Sequence, residues 1–349
     1  MPSEGSDVST VETPVDSLAE APPPSSLKKI WSRAGNQQFI LFLVLVAVMC
    51  FFDFHNTRFF GTGEFTNLLV DFSEAVLIAV AEMYVITSGG IDLSVGSTIA
   101  VSTVLGAYAI SFMESHHFGE FLSLLLGTIA CAGVGALVGS INALLITRAR
   151  LVPFVATLVT LSMGEGLALV FSKGGTVGYD PAAAVWSSTG FWIFRWLTIM
   201  VLAVTAVLGI VLHVSRYGRY NFAIGSNPFA ARAAGINVSR HVASVYVLSG
   251  TLAGLTGMIW YFNSSGGAPQ NGIGNELEAI AAVVIGGVSL VGGVGRFSGV
   301  ILGVAILTVV HDGLVFINVA TTWNEVVVAG FIALAAVLQS LSAGSRGRT

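Results

Sequence analysis

Two carboxylates, Glu82 and Glu165, stand inside long apolar runs of this sequence. A carboxylate at membrane depth is expensive and is expected to face protein or water rather than lipid. There it can carry a proton, accept hydrogen bonds from a neighbouring helix, or hold a polar solute. Glu82 shares a helical stripe with Glu74 and Asp71. Neither Glu82 nor Glu165 lies near a strongly basic intramembrane residue, so a proton relay has little support in the sequence.

Asp92 lies in the stretch SGGIDLSVGS, residues 88–97. The pair Gly89-Gly90 ends one apolar run, and Asp92 or Ser94 can cap the helix that follows. A backbone break at membrane depth is tolerated only inside protein or beside a water-filled cavity. Asp92 therefore reads either as a cap, the simpler reading, or as a group holding two helices in register near a translocation path. The stretch GGVSLVGG, residues 286–293, echoes this pattern, with Gly286 and Gly287 in the places of Gly89 and Gly90. The echo is short and biased to glycine, so it does not by itself establish an internal repeat.

The longest polar, basic stretch between apolar runs is RYGRYNFAIGSNPFAARAAGINVSRH, residues 216–241. It contains a short helix with both ends marked. Asn227 is a good N-cap, and Pro228 suits the first helical position. Alanines, including Ala230 and Ala231, fill the body with Arg232, and Gly235 suits the left-handed residue after a helix end. So short a helix is marginal alone and is expected to pack on something. The same stretch also fits an ordinary cytoplasmic loop whose arginines follow the positive-inside rule.

The elements that must carry these groups follow from composition. The chain is 54% hydrophobic and only 10% charged, against about 25% charged for a soluble domain. Its apolar runs are too long and too many for buried core helices. The expected fold is all-α and polytopic, with about ten spans. They run roughly over residues 37–54, 67–88, 93–113, 121–147, 152–172, 196–214, 242–262, 277–290, 297–316 and 325–341. The eighth is short and reads as broken or re-entrant. Residues 1–36 form an expected disordered cytoplasmic tail, residues 37–342 the membrane domain, and residues 343–349 a short cytoplasmic tail.

Orientation follows from the Lys and Arg residues of the connections. With both termini inside, twelve lie on the inner side (Lys28, Lys29, Arg33, Arg148, Arg150, Arg216, Arg219, Arg232, Arg240, Arg296, Arg346 and Arg348) and three outside (Arg58, Lys173 and Arg195). The outer connections 174–196, with Tyr179, Trp186 and Trp192, and 263–276, polar and Gly-rich, are suited to a partner or polar ligand, or to interfacial anchoring and flexible turns. His116 and His117 read as a solvated outer turn. Gly133, Gly135 and Gly139 in one span, and Gly250, Gly254 and Gly257 in another, allow close helix approach. Cys50 and Cys131 are expected to be buried thiols, and no metal or cofactor is expected. The scattered basic residues leave no nucleic-acid footprint. The sequence has no Gly-x-x-x-x-Gly-Lys-Ser/Thr, so nucleotide binding of that kind is excluded.

Together, GGIDLSVGS (89–97), AIGSNPFAARAAGI (223–236) and ELEAIAAVVIGGVSLVGG (276–293) resemble the permease subunit of a bacterial ABC sugar importer, of the ribose/xylose/arabinose/galactofuranose branch. The resemblance covers residues 40–341. It implies a non-enzymatic, multi-pass subunit of the bacterial cytoplasmic (inner) membrane, working beside a second copy or a paralogue. It also implies cytoplasmic ABC ATPase subunits, an extracytoplasmic solute-binding protein and a sugar-like substrate or related polyol. It assigns Gly225, Asn227, Ala230, Ala231 and Gly235 to the loop that docks on the ATPase, which favours the coupling helix over the plain loop. Two residues depart from the pattern: Glu82 stands where relatives have a small residue, and Glu165 precedes Gly166 where an arginine is common. If they face the path, the substrate differs from a common pentose. They are also the support for the alternative, a secondary transporter coupled to an ion gradient.

Overall fold

The computed structural model describes residues 25–178 and 181–319, and residues 323, 326, 327, 329, 330 and 333. Two compact units are distinguished, residues 1–37 and residues 38–349. The described part of the first is the start of α1 (Ser25–His55). The tail expected over residues 1–36 is therefore helical from Ser25, while residues 1–24 lie outside the described residues. The helix begins directly after Pro24, and residues 25–34 contain no helix breaker.

The second unit continues with α2 (Thr62–Thr87), α3 (Val95–Ser115), α4 (Glu120–Thr147) and α5 (Pro153–Ser172). A short helix α6 (Pro181–Ser188) and a hairpin of β1 (Gly190–Phe191) and β2 (Phe194–Arg195) follow. The hairpin strands pair antiparallel, Gly190 opposite Arg195. Then come α7 (Trp196–Val214), α8 (Arg216–Ser226), α9 (Pro228–Ala233), α10 (Val238–Ser264), α11 (Asn275–Ile285) and α12 (Phe297–Phe316). The expected tenth span and C-terminal tail lie outside the described residues, except that residues 326, 327, 329, 330 and 333 are helical.

Among the described residues, seven helices are long and apolar enough to cross a membrane: α1 (from Gln37), α3, α4, α5, α7, α10 and α12. Two of the expected spans fall short of that standard, for different reasons. α2 is long enough but carries Glu64, Asp71, Glu74 and Glu82. Glu64 and Asp71 are exposed, whereas Glu74 and Glu82 are buried because α2 is the central helix. Nearly every side chain from Ser73 to Thr87 is buried, with Val76, Val80 and Met83 packed in one core with Tyr246 of α10, Val283 of α11, and Val300 and Val304 of α12. A helix shielded from lipid need not be apolar throughout.

α11 has 11 residues, about 16 Å of helix against a hydrocarbon core of about 30 Å. It is a half-helix ending in the glycine turn 286–293, in keeping with the broken reading of that element.

The glycine stripes form the seam between α4 and α10. Gly135 abuts the backbone of Gly250 and Gly254, and Gly139 abuts Tyr246 and Val247. Between membrane helices the hydrophobic effect gives no drive to associate, so this backbone proximity is what makes close packing favourable. Gly133 takes no part in the seam, and Gly257 packs on α3 instead.

The connection 263–276 is tied down rather than loose. Val177 and Gly267 exchange backbone hydrogen bonds (2.9 and 2.8 Å), Gly267 sits against Thr103 of α3, and Asn271 is buried. In the connection 174–196 Trp186 donates to Glu120 and Trp192 is 79% exposed, while Tyr179 lies outside the described residues. His116 and His117 form an exposed turn. Cys131 is buried as expected, but Cys50 is exposed. It projects from α1 among exposed apolar neighbours, an environment that accepts a thiol as readily as a core does.

The charge asymmetry predicts opposite sides for the α4–α5 turn and the α6–β1 region. Cysteines placed singly at the exposed positions Ala149 and Ser188, in a Cys50→Ala background, should label oppositely. An impermeant maleimide added to intact cells should modify Ser188→Cys and spare Ala149→Cys. The reverse pattern would invert the topology.

Candidate functional site

The expected docking segment is built as its sequence suggests. The Asn227 side chain accepts from the backbone N–H groups of Phe229 and Ala230, at 3.0 Å each. Pro228 occupies the first turn of α9, where its missing N–H is not needed. At the other end Gly235 takes φ +85°. The N–H of Ile236 donates to Ala231 O (3.1 Å) and that of Gly235 to Arg232 O (3.0 Å), the double closure of a Schellman turn. Ala231 is buried, Ala230 and Arg232 are exposed, and Phe229 stands 81% exposed. The residues before the cap, expected only as polar loop, form α8, whose N-cap Ser215 accepts from Gly218 N–H at 3.2 Å.

The ends of α2 and α11 are closed by the same kind of turn. At the end of α2, Gly89 (φ +90°) donates to Ile86 O at 2.9 Å and Gly90 to Val85 O at 3.1 Å. At the end of α11, Gly287 (φ +87°) donates to Val284 O at 2.9 Å and Val288 to Val283 O at 3.2 Å. The left-handed position falls on the first glycine of one pair and the second of the other, so the sequence match of Gly286-Gly287 to Gly89-Gly90 is one residue out of register with the turns. Gly286 serves a further purpose, since it abuts the backbone of Gly299 on α12.

These turns meet α8. Gly292 lies against Gly89 and Gly225, and a side chain at Gly225 would strike Thr87 O and Gly293 N. Gly293 N–H donates to Thr87 O at 3.0 Å. The three motifs that carry the resemblance thus converge on one junction, immediately before the Asn227 cap.

Beyond Gly90 lies a buried polar network. Asp92 Oδ1 accepts from the Ser94 N–H (3.0 Å) and hydroxyl (2.6 Å), and Oδ2 accepts from the Ser249 hydroxyl of α10 (2.8 Å). Asn142 of α4 donates to Ser94 Oγ (2.8 Å), and Thr160 of α5 donates to Asn142 Oδ1 (2.7 Å). The Asp92 N–H donates to Glu82 Oε1 at 3.2 Å, while Glu82 Oε2 is buried with no hydrogen-bond partner. The simpler reading of Asp92 is corrected here. α3 starts at Val95 with Ser94 at its N-cap and no side-chain capping bond. Asp92 instead cross-links the break to α10, so the register-holding role describes it better. The reason is position: Asp92 stands two residues before the N-cap Ser94, and its side chain meets Ser94 and Ser249 instead of the first turn of α3.

Glu165 is not part of this network. It is half-buried on α5, within electrostatic reach of Glu276 at the start of α11. Sequence reasoning missed Ser249, Asn142, Thr160 and Asn221. Asn142 and Ser249 adjoin the glycine stripe, Asn142 three residues after Gly139 and Ser249 just before Gly250. A polar residue beside a close-packing stripe is a usable signal.

Discontinuous helices inside a bundle, joined to a capped helix on the positively charged side, define a polytopic membrane protein of the permease class. The chain belongs to the family described as branched-chain amino acid transport system / permease component, whose model matches residues 65–337. It is 37% identical over 319 residues to the ribose import permease protein RbsC of Bacillus subtilis, covering 89% of this chain and 95% of that protein. It is 34% identical over 319 residues to RbsC of Escherichia coli (strain K12), covering 87% and 93%. It is 31% identical over 324 residues to the galactose/methyl galactoside import permease protein MglC of Salmonella typhimurium, covering 89% and 95%.

Asp92→Ala leaves three donors without their acceptor and should cost about 2–4 kcal/mol, whereas Asp92→Asn, which keeps the shape and one acceptor, should cost less. Thermal unfolding of the detergent-solubilised protein measures the ranking. Wild-type stability in Asp92→Ala would remove the cross-linking role.

Proposed function

We propose that this chain is the membrane-spanning subunit of an ATP-binding-cassette importer that brings a sugar or related polyol across the bacterial cytoplasmic membrane. ATP is hydrolysed on partner ATPase subunits, which dock on residues 225–235. An extracytoplasmic solute-binding protein delivers the solute, and a second permease, copy or paralogue, completes the path. The observation that carries this reading is α9: a six-residue helix satisfied at both ends, with Phe229 81% exposed at its tip. An exposed aromatic on a rigid, pre-formed helix suits insertion into a partner's groove, because little order is lost on binding. The names of the relatives, ribose and galactose import permeases, support a sugar as the solute.

Ion-gradient coupling through Glu82 and Glu165 is less well supported. Glu82 is fully buried and engaged with the Asp92 backbone, and the two carboxylates share no hydrogen bond.

Proline at Ala231 removes the bond from its N–H to Asn227 O (3.0 Å). It also crowds the preceding turn, a cost of about 3 kcal/mol or more in a helix interior. Because α9 lies outside the spans, Ala231→Pro should reach the membrane at normal levels, fail to hold the ATPase and give no uptake. Ala231→Ser should behave as wild type. Normal ATPase association in the proline variant would reduce the segment to a charged loop. Separately, Glu82→Gln should leave uptake intact and ATP-dependent. Abolished uptake together with a lost response to the proton gradient would favour ion coupling.

A further inference from the structure

Asn221 is a fully buried amide in the middle of α8. Its Nδ2 donates to Tyr84 O (2.8 Å) and to Thr87 Oγ1 (2.7 Å), both in the last turn of α2. Its Oδ1 pairs with His241 Nε2 (3.0 Å) in the first turn of α10. With Nδ2 committed to two acceptors, the amide can take only one orientation, and the histidine must present Nε2–H to it. The His241 ring stacks beside Tyr217 of α8, centroids 4.5 Å apart.

Thr87 is bound from two sides. Its hydroxyl receives Asn221, and its carbonyl receives Gly293 N–H from the turn after α11 (3.0 Å). One residue therefore links the docking segment to the ends of both broken helices. The backbones around it approach too closely for a side chain at Gly225, which would strike Thr87 and Gly293, or at Gly292, which would strike Gly89. Five residues further along the chain from Thr87 stands Asp92, which holds the break to α10, and through Ser94 and Asn142 to α4 and α5.

We infer that Asn221 and Thr87 form the transmission joint of this permease, making α8, the end of α2 and the glycine turn after α11 move as one body. A displacement of α9 by a partner then reaches the Asp92 break without being lost in a flexible loop. Asn221 is a positioning residue: it touches neither solute nor ATPase, and its work is to keep α8 from sliding on α2. The inference rests on the docking reading of α9 and adds the route by which docking is felt in the membrane.

The test uses the full permease reconstituted with its ATPase and solute-binding protein. A reporter cysteine replaces Ile91, the partly exposed residue between Gly90 and Asp92, in a Cys50→Ala background. Three quantities are read: ATPase co-purification, ATP hydrolysis, and the change in maleimide labelling of Ile91→Cys when ATP is added. Asn221→Leu removes all three hydrogen bonds, and Thr87→Val removes only one of these three, together with the Thr87 hydroxyl's own bond to Met83 O, at nearly constant shape. Both should keep ATPase association and hydrolysis within about twofold of wild type, while the ATP-dependent labelling change falls by about tenfold in Asn221→Leu and less in Thr87→Val. A labelling change preserved in both variants would overturn the joint. So would loss of ATPase binding in both, because that would place these residues in the docking fold itself. An absent labelling change in the wild-type complex would mean that nothing is transmitted by this route. If the wild-type permease does not hold the ATPase at all, the docking reading fails first and this inference falls with it, a pattern distinct from the others.

Discussion

A backbone that leaves a helix at membrane depth has no water to satisfy its N–H and C=O groups, so the protein must supply every partner. The architecture of this permease is organised by meeting that requirement twice, at the ends of α2 and α11. Each end is closed by a left-handed glycine and a double backbone turn, Gly89 with Gly90 and Gly287 with Val288. The closures leave little bulk at the helix ends, and that lets the two turns and α8 pack backbone to backbone around Thr87. A residue with a side chain at Gly225 or Gly292 would force these elements apart, and with them the hydrogen bond between Gly293 and Thr87.

The same requirement explains where the polar side chains are. α2 is surrounded by α7, α10, α11 and α12, so Glu74 and Glu82 meet protein rather than lipid. Glu74 accepts from Asn263 near the C-terminal end of α10, and Glu82 accepts from the Asp92 backbone just beyond the end of α2. Ser249 of α10 and Asn142 of α4, from the two helices that the glycine seam brings together, both reach the break between α2 and α3, at Asp92 and at Ser94. Close packing and polar cross-linking thus depend on each other: the seam sets the distance, and the hydrogen bonds fix the register.

Much of this was legible in the sequence, because the signals are local or periodic. Apolar runs mark the spans, glycine pairs mark the helix ends, and Asn227-Pro228 with Gly235 marks α9 almost residue by residue. What was not legible depends on tertiary proximity. Asn221 sits in a polar stretch where one more asparagine carries no information, and only the fold places it against the last turn of α2. Asp92 carries the same composition signal whether it caps α3 or binds Ser249, and the distance to α10 decides. The tied-down connection 263–276 resembled a free loop because its glycines serve close approach to α3, as Gly267 and Gly272 do, as well as turns. The hairpin of β1 and β2 has only two residues in each strand, too few for any alternation to register.

The family is described by amino-acid transport, yet the relatives cited are import permeases for ribose and galactosides. The structure gives a physical reason why one scaffold accommodates both. The junction of α2, α8 and α11 consists of glycine backbones, helix caps and one amide, and its hydrogen-bonding groups are spent on one another. It holds nothing that must match a zwitterion or a polyol. Solute chemistry is then free to vary on other surfaces of the bundle without disturbing the joint, as is general where a fold hosts many functions and the specificity lies in grafted sites. The mechanical half of such a protein asks for small residues where backbones touch and caps where helices break.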